Sequence, residues 1–298
     1  MRLARVLHES SPFPRVALER DGALYDVGEL GRCLGVGRAA IHLGELGLSA
    51  DFFERVIALR CAGIAALDER ICGGDRPTTA RVVPGSFLWL APCDTERSLF
   101  VHVDLPSASS VTASPRYRIG NARGLLGHEA RVAFPAGETR PGFELGLAAV
   151  LGEDLRRATA AEAEEAIAGY SILSLWVARD EDERHRGSSG ARDFGPQLGP
   201  VLVTRGELGE LARLRVQARV GGKVMANGVI GRAGDGLPEA VAFVSHYVDL
   251  RAGDVVGATC LSAVEAPFGV TAELLIERLG KLSGHAVAGP DMRGWRRA

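Results

Sequence analysis

Phe143-Glu-Leu-Gly-Leu-Ala-Ala-Val-Leu-Gly152 is followed by a second apolar stretch, Gly169-Tyr-Ser-Ile-Leu-Ser-Leu-Trp-Val-Ala-Arg-Asp180. Within them, Leu145 to Leu151 and Ser171 to Val177 are apolar runs of strand length. Between the two, Thr159-Ala-Ala-Glu162 is a capping-box pattern and predicts a helix running to about Gly169. Toward the N-terminus, Leu3 to Leu7, Arg15 to Leu18 and Ala23 to Val27 are short runs, and Asp21-Gly22 between the last two signals a hairpin. A helix is expected from Asp51, where Phe52, Phe53, Val56, Ile57, Ala62, Ile64, Ala65 and Leu67 fit a broad amphipathic face. Toward the C-terminus, Leu214 to Val220 ahead of Gly221-Gly222, then Val241 to Val248, then Asp254 to Ala258 read as strands between turns. Ala272 to Leu279 fits helix or strand, with Gly280 closing it. The 38 glycines suit many turns between short strands better than a helical bundle. The fold class read from this is α+β, mostly β with a few helices.

A net charge of −2 leaves no electrostatic footprint for nucleic acid or an anionic membrane. No window approaches eighteen uninterrupted apolar residues, and Met1 to Glu9 lacks a signal-peptide core. Cys33, Cys61, Cys72, Cys93 and Cys260 have no CxxC or zinc spacing, so reduced thiols packed as small apolar residues are expected, and with them a cytoplasmic location. The partner expected is a small-molecule substrate, with no nucleic acid and no membrane.

Five segments in order resemble the fumarylacetoacetate hydrolase family. Phe143 to Gly152 is similar to its acidic strand, and Gly169 to Asp180 to its Gly-Tyr…Asn-Asp-Trp-Ser-Ala-Arg-Asp segment. Ala191-Arg-Asp-Phe-Gly-Pro-Gln-Leu-Gly-Pro200 resembles its Lys-containing loop. Leu250-Arg-Ala-Gly-Asp-Val-Val-Gly-Ala-Thr259 resembles its Leu-x-Pro-Gly-Asp turn, and Leu279-Gly-Lys-Leu282 its closing strand. The resemblance implies a mixed β-roll domain over residues 96–298, a smaller N-terminal domain over residues 1–95, and a homodimer. It also implies C–C hydrolysis, decarboxylation, hydration or tautomerisation of 2-oxo acids or 1,3-diketones.

The resemblance further implies Mg²⁺ or Ca²⁺ held by two Glu at i, i+2 and a downstream Asp, and there the chain departs from it. The first Glu is Glu144, but the second position is Gly146 and the third is Leu175. Hard cations need clustered oxygen ligands, so no metal and no other cofactor is expected; a shell rebuilt from Asp104, Glu144 and Asp193 is the less favoured alternative. The family's Lys falls on Arg192, which keeps the charge but cannot act readily as an acid or base. No His follows Val103-Asp-Leu-Pro-Ser-Ala-Ser-Ser110 at the family's catalytic position. Asp104 matches an extra ligand used by some members, and Thr259 a substrate-contacting Thr.

Of the other candidates, His102 should share a strand face with Asp104, as base and orienter or as an ordinary strand histidine. Tyr117 and Arg118, in Pro115 to Arg123, fit substrate binding or a surface loop. His246 is expected in a strand, His128 in a turn, Arg179-Asp180 as a brace, and Arg179 to Arg186 as a solvated loop or a lid hinged at Gly187 to Gly190.

Exchanging two carboxylates for Gly146 and Leu175 should leave the old metal pocket roomier and more apolar. It should also raise the pKa of Glu144 unless Arg192 pairs with it. The favoured function is a repurposed, metal-free enzyme acting by proton transfer on a hydrophobic diketone, enol or 2-oxo acid, by isomerisation, cyclisation, decarboxylation or C–C hydrolysis. Glu144 is its acid/base, Arg192 the oxyanion or carboxylate partner, and Asp104 a third catalytic candidate. Tyr117, Arg118, Thr259, His102, Leu175 and Gly146 line the substrate. The alternatives are an inactive relative serving as a binding or regulatory subunit, and a hydrolase with an altered metal shell.

Overall fold

The computed structural model describes residues 1–9, 11–35, 62–106, 114–185 and 189–289. Near the N-terminus, β1 (Arg2–His8), β2 (Arg15–Arg20) and β3 (Ala23–Asp26) form an antiparallel ladder. Asp21 and Gly22 join β2 to β3 with φ of 50° and 76°, the left-handed pair whose twist matches the flanking strands. Helix α1 (Val27–Leu34) begins at Asp26, whose carboxylate accepts from the Glu29 amide at 2.8 Å. Of the helix expected from Asp51, α2 (Ala62–Cys72) is seen; Phe52, Phe53, Val56 and Ile57 lie outside the described residues.

The remaining strands are β4 (Phe87–Leu90), β5 (Phe100–Asp104), β6 (Arg116–Gly120), β7 (Ala130–Phe134), β8 (Pro141–Leu151), β9 (Ile167–Ala178) and β10 (Gln197–Thr204). They are followed by β11 (Arg215–Val220), β12 (Lys223–Val229), β13 (Val255–Glu265), β14 (Thr271–Ile276) and β15 (Gly280–Ala288). Among the described residues they make two mixed sheets. The ten-stranded sheet runs β3-β2-β1-β10-β9-β8-β13-β5-β6, with β4 paired to β1, and the five-stranded sheet runs β12-β11-β14-β15-β7. Each is mixed because one pairing in it is parallel, β13 with β5 and β15 with β7. Strands of the first 95 residues thus continue the large sheet, joining it where β1 meets β10. The fold is α+β.

Side-chain alternation divides the large sheet into two faces. Val101, Val103, Leu145, Leu147, Ile172 and Trp176 face one core, shared with α5 (Leu237–Ser245) and with Val216, Leu274 and Leu282 of the small sheet. Phe100, Ala148, Val150, Leu173, Leu175 and Val255 face the other, which extends to α1 and α2 through Leu30, Ile64 and Leu67. Buried Gln197 ties the sheets together: it accepts from Trp176 Nε1 at 2.6 Å and donates to the carbonyls of Gly127 (2.9 Å) and Ser283 (3.2 Å). No helix among the described residues is long and apolar enough to cross a membrane.

Four expectations are corrected. Val241 to Val248 is not a strand: α5 covers its first half, with Pro238 in the first turn and Leu237, Ala240, Val241 and Val244 at helical spacing. The helix is buried on most sides, so its β-branched composition imitates a strand, and His246 is its exposed C-cap. Helix α3 (Ala160–Ala166) has the full capping box at Thr159 and Glu162 but ends before Gly169, because β9 already begins at Ile167. Arg179 to Arg184 forms a short helix, α4, instead of a loop. Cys33 and Cys72 are exposed, whereas Cys93 is buried and its thiol is pushed up to about 12 by burial. The segment left open, Ala272 to Leu279, is strand β14 as far as Ile276.

Candidate functional site

Glu144 lies on β8 directly opposite Leu175 of β9, on the sheet face that carries Leu173 and Phe100. β13 borders β8 on the other side and brings Thr259 opposite Gly146. β5 runs parallel to β13 and sets His102 beside Gly257. The three strands therefore present Glu144, Thr259 and His102 on one face, one strand apart each.

These residues form a continuous polar chain. Arg192, in the turn that follows Ala191, donates from NH2 to Glu144 Oε1 at 3.1 Å. Its NH1 and NH2 also reach Asp182 at 2.7 and 3.3 Å. Thr259 Oγ1 lies 3.3 Å from Glu144 Oε2, and His102 Nε2 lies 3.0 Å from Thr259 Oγ1. A carboxylate only accepts, so the Thr259 hydroxyl donates to Glu144 and accepts from His102 Nε2–H. That assignment leaves Nδ1 of a neutral His102 as a bare acceptor. It stands 3.5 Å from Asp104 Oδ1 without hydrogen-bonding it, and with the ring neutral the contact is not an ion pair.

Burial sets the electrostatics. His102 is 2% exposed, and burial, aided by the charges of Arg118 and Arg192, pushes it down to about 3. Burial also opposes the charge on Arg192, but hydrogen bonds and charge from Asp182 and Glu144 outweigh it and raise its pKa. The Glu144 and Arg192 side chains are 15% and 16% exposed; Asp182 and Arg118 are equally open at 32%, and Asp104 more so at 50%. Arg118 NH1 is 3.9 Å from Asp104 Oδ2, and the two lie on neighbouring strands of the same face.

Asp182 has no counterpart in the sequence reading. It is carried on α4, whose start is clamped by Asp180. That carboxylate accepts from the Thr139 amide (2.7 Å), the Thr139 hydroxyl (2.6 Å) and Arg140 Nε (2.7 Å), which hold it well below the usual carboxylate range. Arg179-Asp180 is thus a brace, as expected. Asp182 shares the acidic first turn of that helix with Asp180 and Glu181.

Two site candidates are placed differently from the rest. Tyr117 points to the opposite face of β6, where its ring meets Phe243 at 6.2 Å and Tyr247 at 6.0 Å, so it is not brought together with Glu144. Gly146 gives no extra room: a Cβ there would stand 2.7 Å from the Ala258 carbonyl oxygen, so the backbone of β13 fills the position. The expected enlargement of the pocket fails at that point. Leu175, opposite Glu144, is 3% exposed and packed in the core with Leu173 and Phe100.

These side chains do not fit a hard divalent cation in the position the resemblance implies. Such an ion needs about six oxygens, whereas both Glu144 oxygens are engaged and a guanidinium stands 3.1 Å away. Among the described residues no group of three or more His, Cys, Asp or Glu could hold a metal. Residues 107–113 and 186–188 contain no carboxylate by sequence. Gly146→Glu, which restores the paired acid, is expected to lower stability by about 1–3 kcal/mol through overpacking and to gain no stabilisation from Mg²⁺. Thermal melting with and without Mg²⁺ checks both points; a wild-type Tm, or one raised by Mg²⁺, contradicts them.

His102 supplies a pH prediction. In the folded protein it stays neutral down to about pH 3, while in the unfolded chain it titrates near 6.5. Between these values the unfolded chain binds more protons, so stability falls as pH falls, by up to about 1.4 kcal/mol per pH unit from this group. His102→Gln should therefore flatten the acid limb, read from urea unfolding at pH 7 and 4.5. Equal losses in variant and wild type would contradict the buried neutral histidine.

Residues 98–285 match the family model described as fumarylacetoacetate (FAA) hydrolase C-terminal. The chain belongs to the fumarylacetoacetate hydrolase family. Among its relatives, the oxaloacetate tautomerase YisK of Bacillus subtilis is 30% identical over 153 residues, 47% of this chain and 50% of that protein. A maleylpyruvate hydrolase of Aquipseudomonas alcaligenes is 32% identical over 133 residues, 44% of this chain and 45% of that protein. The chain thus spans about half the length of these two curated relatives. The maleylpyruvate hydrolase of Sphingobium sp. SYK-6, solved with manganese(II) ion and pyruvate, aligns with a TM-score of 0.70. That alignment covers 97% of this chain and all of the other at 18% identity, a likeness of fold. The relatives of this fumarylacetoacetate hydrolase family member thus include a tautomerase and maleylpyruvate hydrolases.

Proposed function

We propose that this protein is a proton-transfer enzyme acting on a carbonyl or enol substrate, with the guanidinium of Arg192 as the cation beside the acid/base Glu144. The observation that carries this reading is the carboxylate of Glu144 held between Arg192 at 3.1 Å and Thr259 at 3.3 Å at the floor of a partly open site. A carboxylate so oriented can take a proton from a carbon between two carbonyls. The electron pair then moves into one carbonyl, and Arg192 stabilises the charge on its oxygen. Returning the same proton to that oxygen gives the enol. Keto–enol isomerisation needs no water or second reactant, so among the candidate reactions it is the one to test first. Relatives named as oxaloacetate tautomerases support it as a class.

In this reading Thr259 positions Glu144, His102 positions Thr259, and Arg118 with Asp104 forms the open rim. The purified protein should accelerate loss of the enol absorbance of 2,4-pentanedione or oxaloacetate, without added metal and in the presence of EDTA. No acceleration of either, or acceleration abolished by EDTA, overturns the proposal. The second reading, an inactive binding subunit, draws on the same engagement of both Glu144 oxygens, which leaves the base to be freed by a ligand.

A further inference from the structure

A half-buried guanidinium without a carboxylate partner is costly, because burial opposes its charge. Arg5 on β1 is such a group among the described residues. Its Nη1 donates to the Cys93 carbonyl at 2.8 Å, while Nε is buried without a partner. Nη2 makes no hydrogen bond among the described residues either, yet it is not enclosed, so it is the atom open to a ligand. Burial lowers the pKa of Arg5, and the charges of Asp94 and Glu96 do not offset that.

Arg5 lines a cleft of 450 Å³ between β4 and residues 125–131, a volume within the range of small-molecule sites. Strand register sets Arg5 directly opposite Leu90, and Leu7 opposite Leu88. Leu88, Leu90 and the Arg5 side chain therefore share one face of the β1–β4 pair. Leu88 is 65% exposed and Leu90 partly so, which makes them an apolar shelf that a ligand can reach. The far wall is fixed against β4 at Gly127, where a Cβ would stand 2.3 Å from the Trp89 carbonyl oxygen. Of the other lining groups, Glu129 and Arg131 carry opposite charges, and burial lowers the pKa of His128, which keeps it neutral at pH 7. Arg5 thus supplies the net charge of the cleft. None of these residues belongs to the Glu144 site.

We propose that this cleft binds a small aliphatic monocarboxylate, its carboxylate on Nη2 of Arg5 and its chain along Leu88 and Leu90. One open donor atom and one net positive charge suit a singly charged carboxylate. A phosphate group, with up to two charges and three terminal oxygens, needs more donors than the cleft offers. The chain contributes by removing the exposed leucine surface from water.

Calorimetric titration of the full chain with hexanoate tests this, beside hexanamide, acetate and the variants Arg5→Gln and Leu88→Asp, each checked by thermal melting. Wild type is expected to bind hexanoate with a Kd of about 0.1–1 mM, at least about tenfold more tightly than hexanamide or acetate. Both variants are expected to lose about tenfold or more. Arg5→Gln keeps a donor for the Cys93 carbonyl and removes the charge. Leu88→Asp alters an exposed side chain and sets a like charge on the shelf, so it decides alone if Arg5→Gln misfolds. No binding by wild type up to about 10 mM hexanoate overturns the inference, as does hexanamide bound equally well. Hexanoate binding unchanged in Leu88→Asp also overturns it, since the anion then sits elsewhere.

Discussion

Glu144→Gln is expected to lower keto–enol isomerisation by about 10²–10⁴-fold, the usual contribution of a positioned acid/base, with little change in fold. Gln is nearly isosteric: its amide oxygen can accept from Arg192, while its NH2 takes the place of Oε2 and donates to the Thr259 hydroxyl. What it loses is the ability to take a proton from carbon. The enol absorbance of the diketone follows the rate, and circular dichroism follows the fold. A variant that keeps more than about a tenth of the rate would show that another group moves the proton; the buried acceptor His102 Nδ1 would be the one to examine next.

Arg192→Met is expected to cost both activity and stability. It leaves Glu144 and Asp182 without their cation in a site where the Glu144 side chain is 15% exposed. Stripping one partner from a fully buried pair costs about 3–5 kcal/mol, and partial exposure here brings the expectation to about 2–3 kcal/mol. For a chain of this size that corresponds to a Tm lower by roughly 5 °C. Arg192→Lys retains the charge but cannot serve two carboxylates with a planar fork, so it should recover part of the stability and little of the rate. Calorimetric melting of the three proteins orders them; a Met variant as stable as wild type would mean that the ion pair contributes nothing net.

Much of the fold was legible in local signals. Asp21-Gly22 marked a hairpin because only a left-handed pair joins two right-twisted strands so tightly. Thr159 and Glu162 marked a helix start by satisfying each other's backbone donors. The helix Leu237–Ser245 was misread because a buried helix is apolar on most sides, and a run of Ala, Val and Phe has then no periodicity to distinguish it from a strand. Similarly, Tyr117 and Arg118 are adjacent in sequence, yet a strand sends them to opposite faces, one into an aromatic cluster and one to the site rim.

By itself the sequence determined which chemical groups are available: one carboxylate at Glu144, none at Gly146 or Leu175, a guanidinium at Arg192, and a hydroxyl at Thr259. These are properties of residue type, and no packing can add an oxygen to glycine or remove the charge from arginine. Tertiary structure decided which of these groups meet. The register of β8, β13 and β5 brings His102 to Thr259 across 157 positions and Thr259 to Glu144 across 115, while the Asp180 clamp directs Asp182 to Arg192. The β13 backbone likewise closes the space beside Gly146. Contacts at such separations depend on strand pairing and bulges, which are settled by the burial of both sheet faces at once and leave no mark in the local pattern.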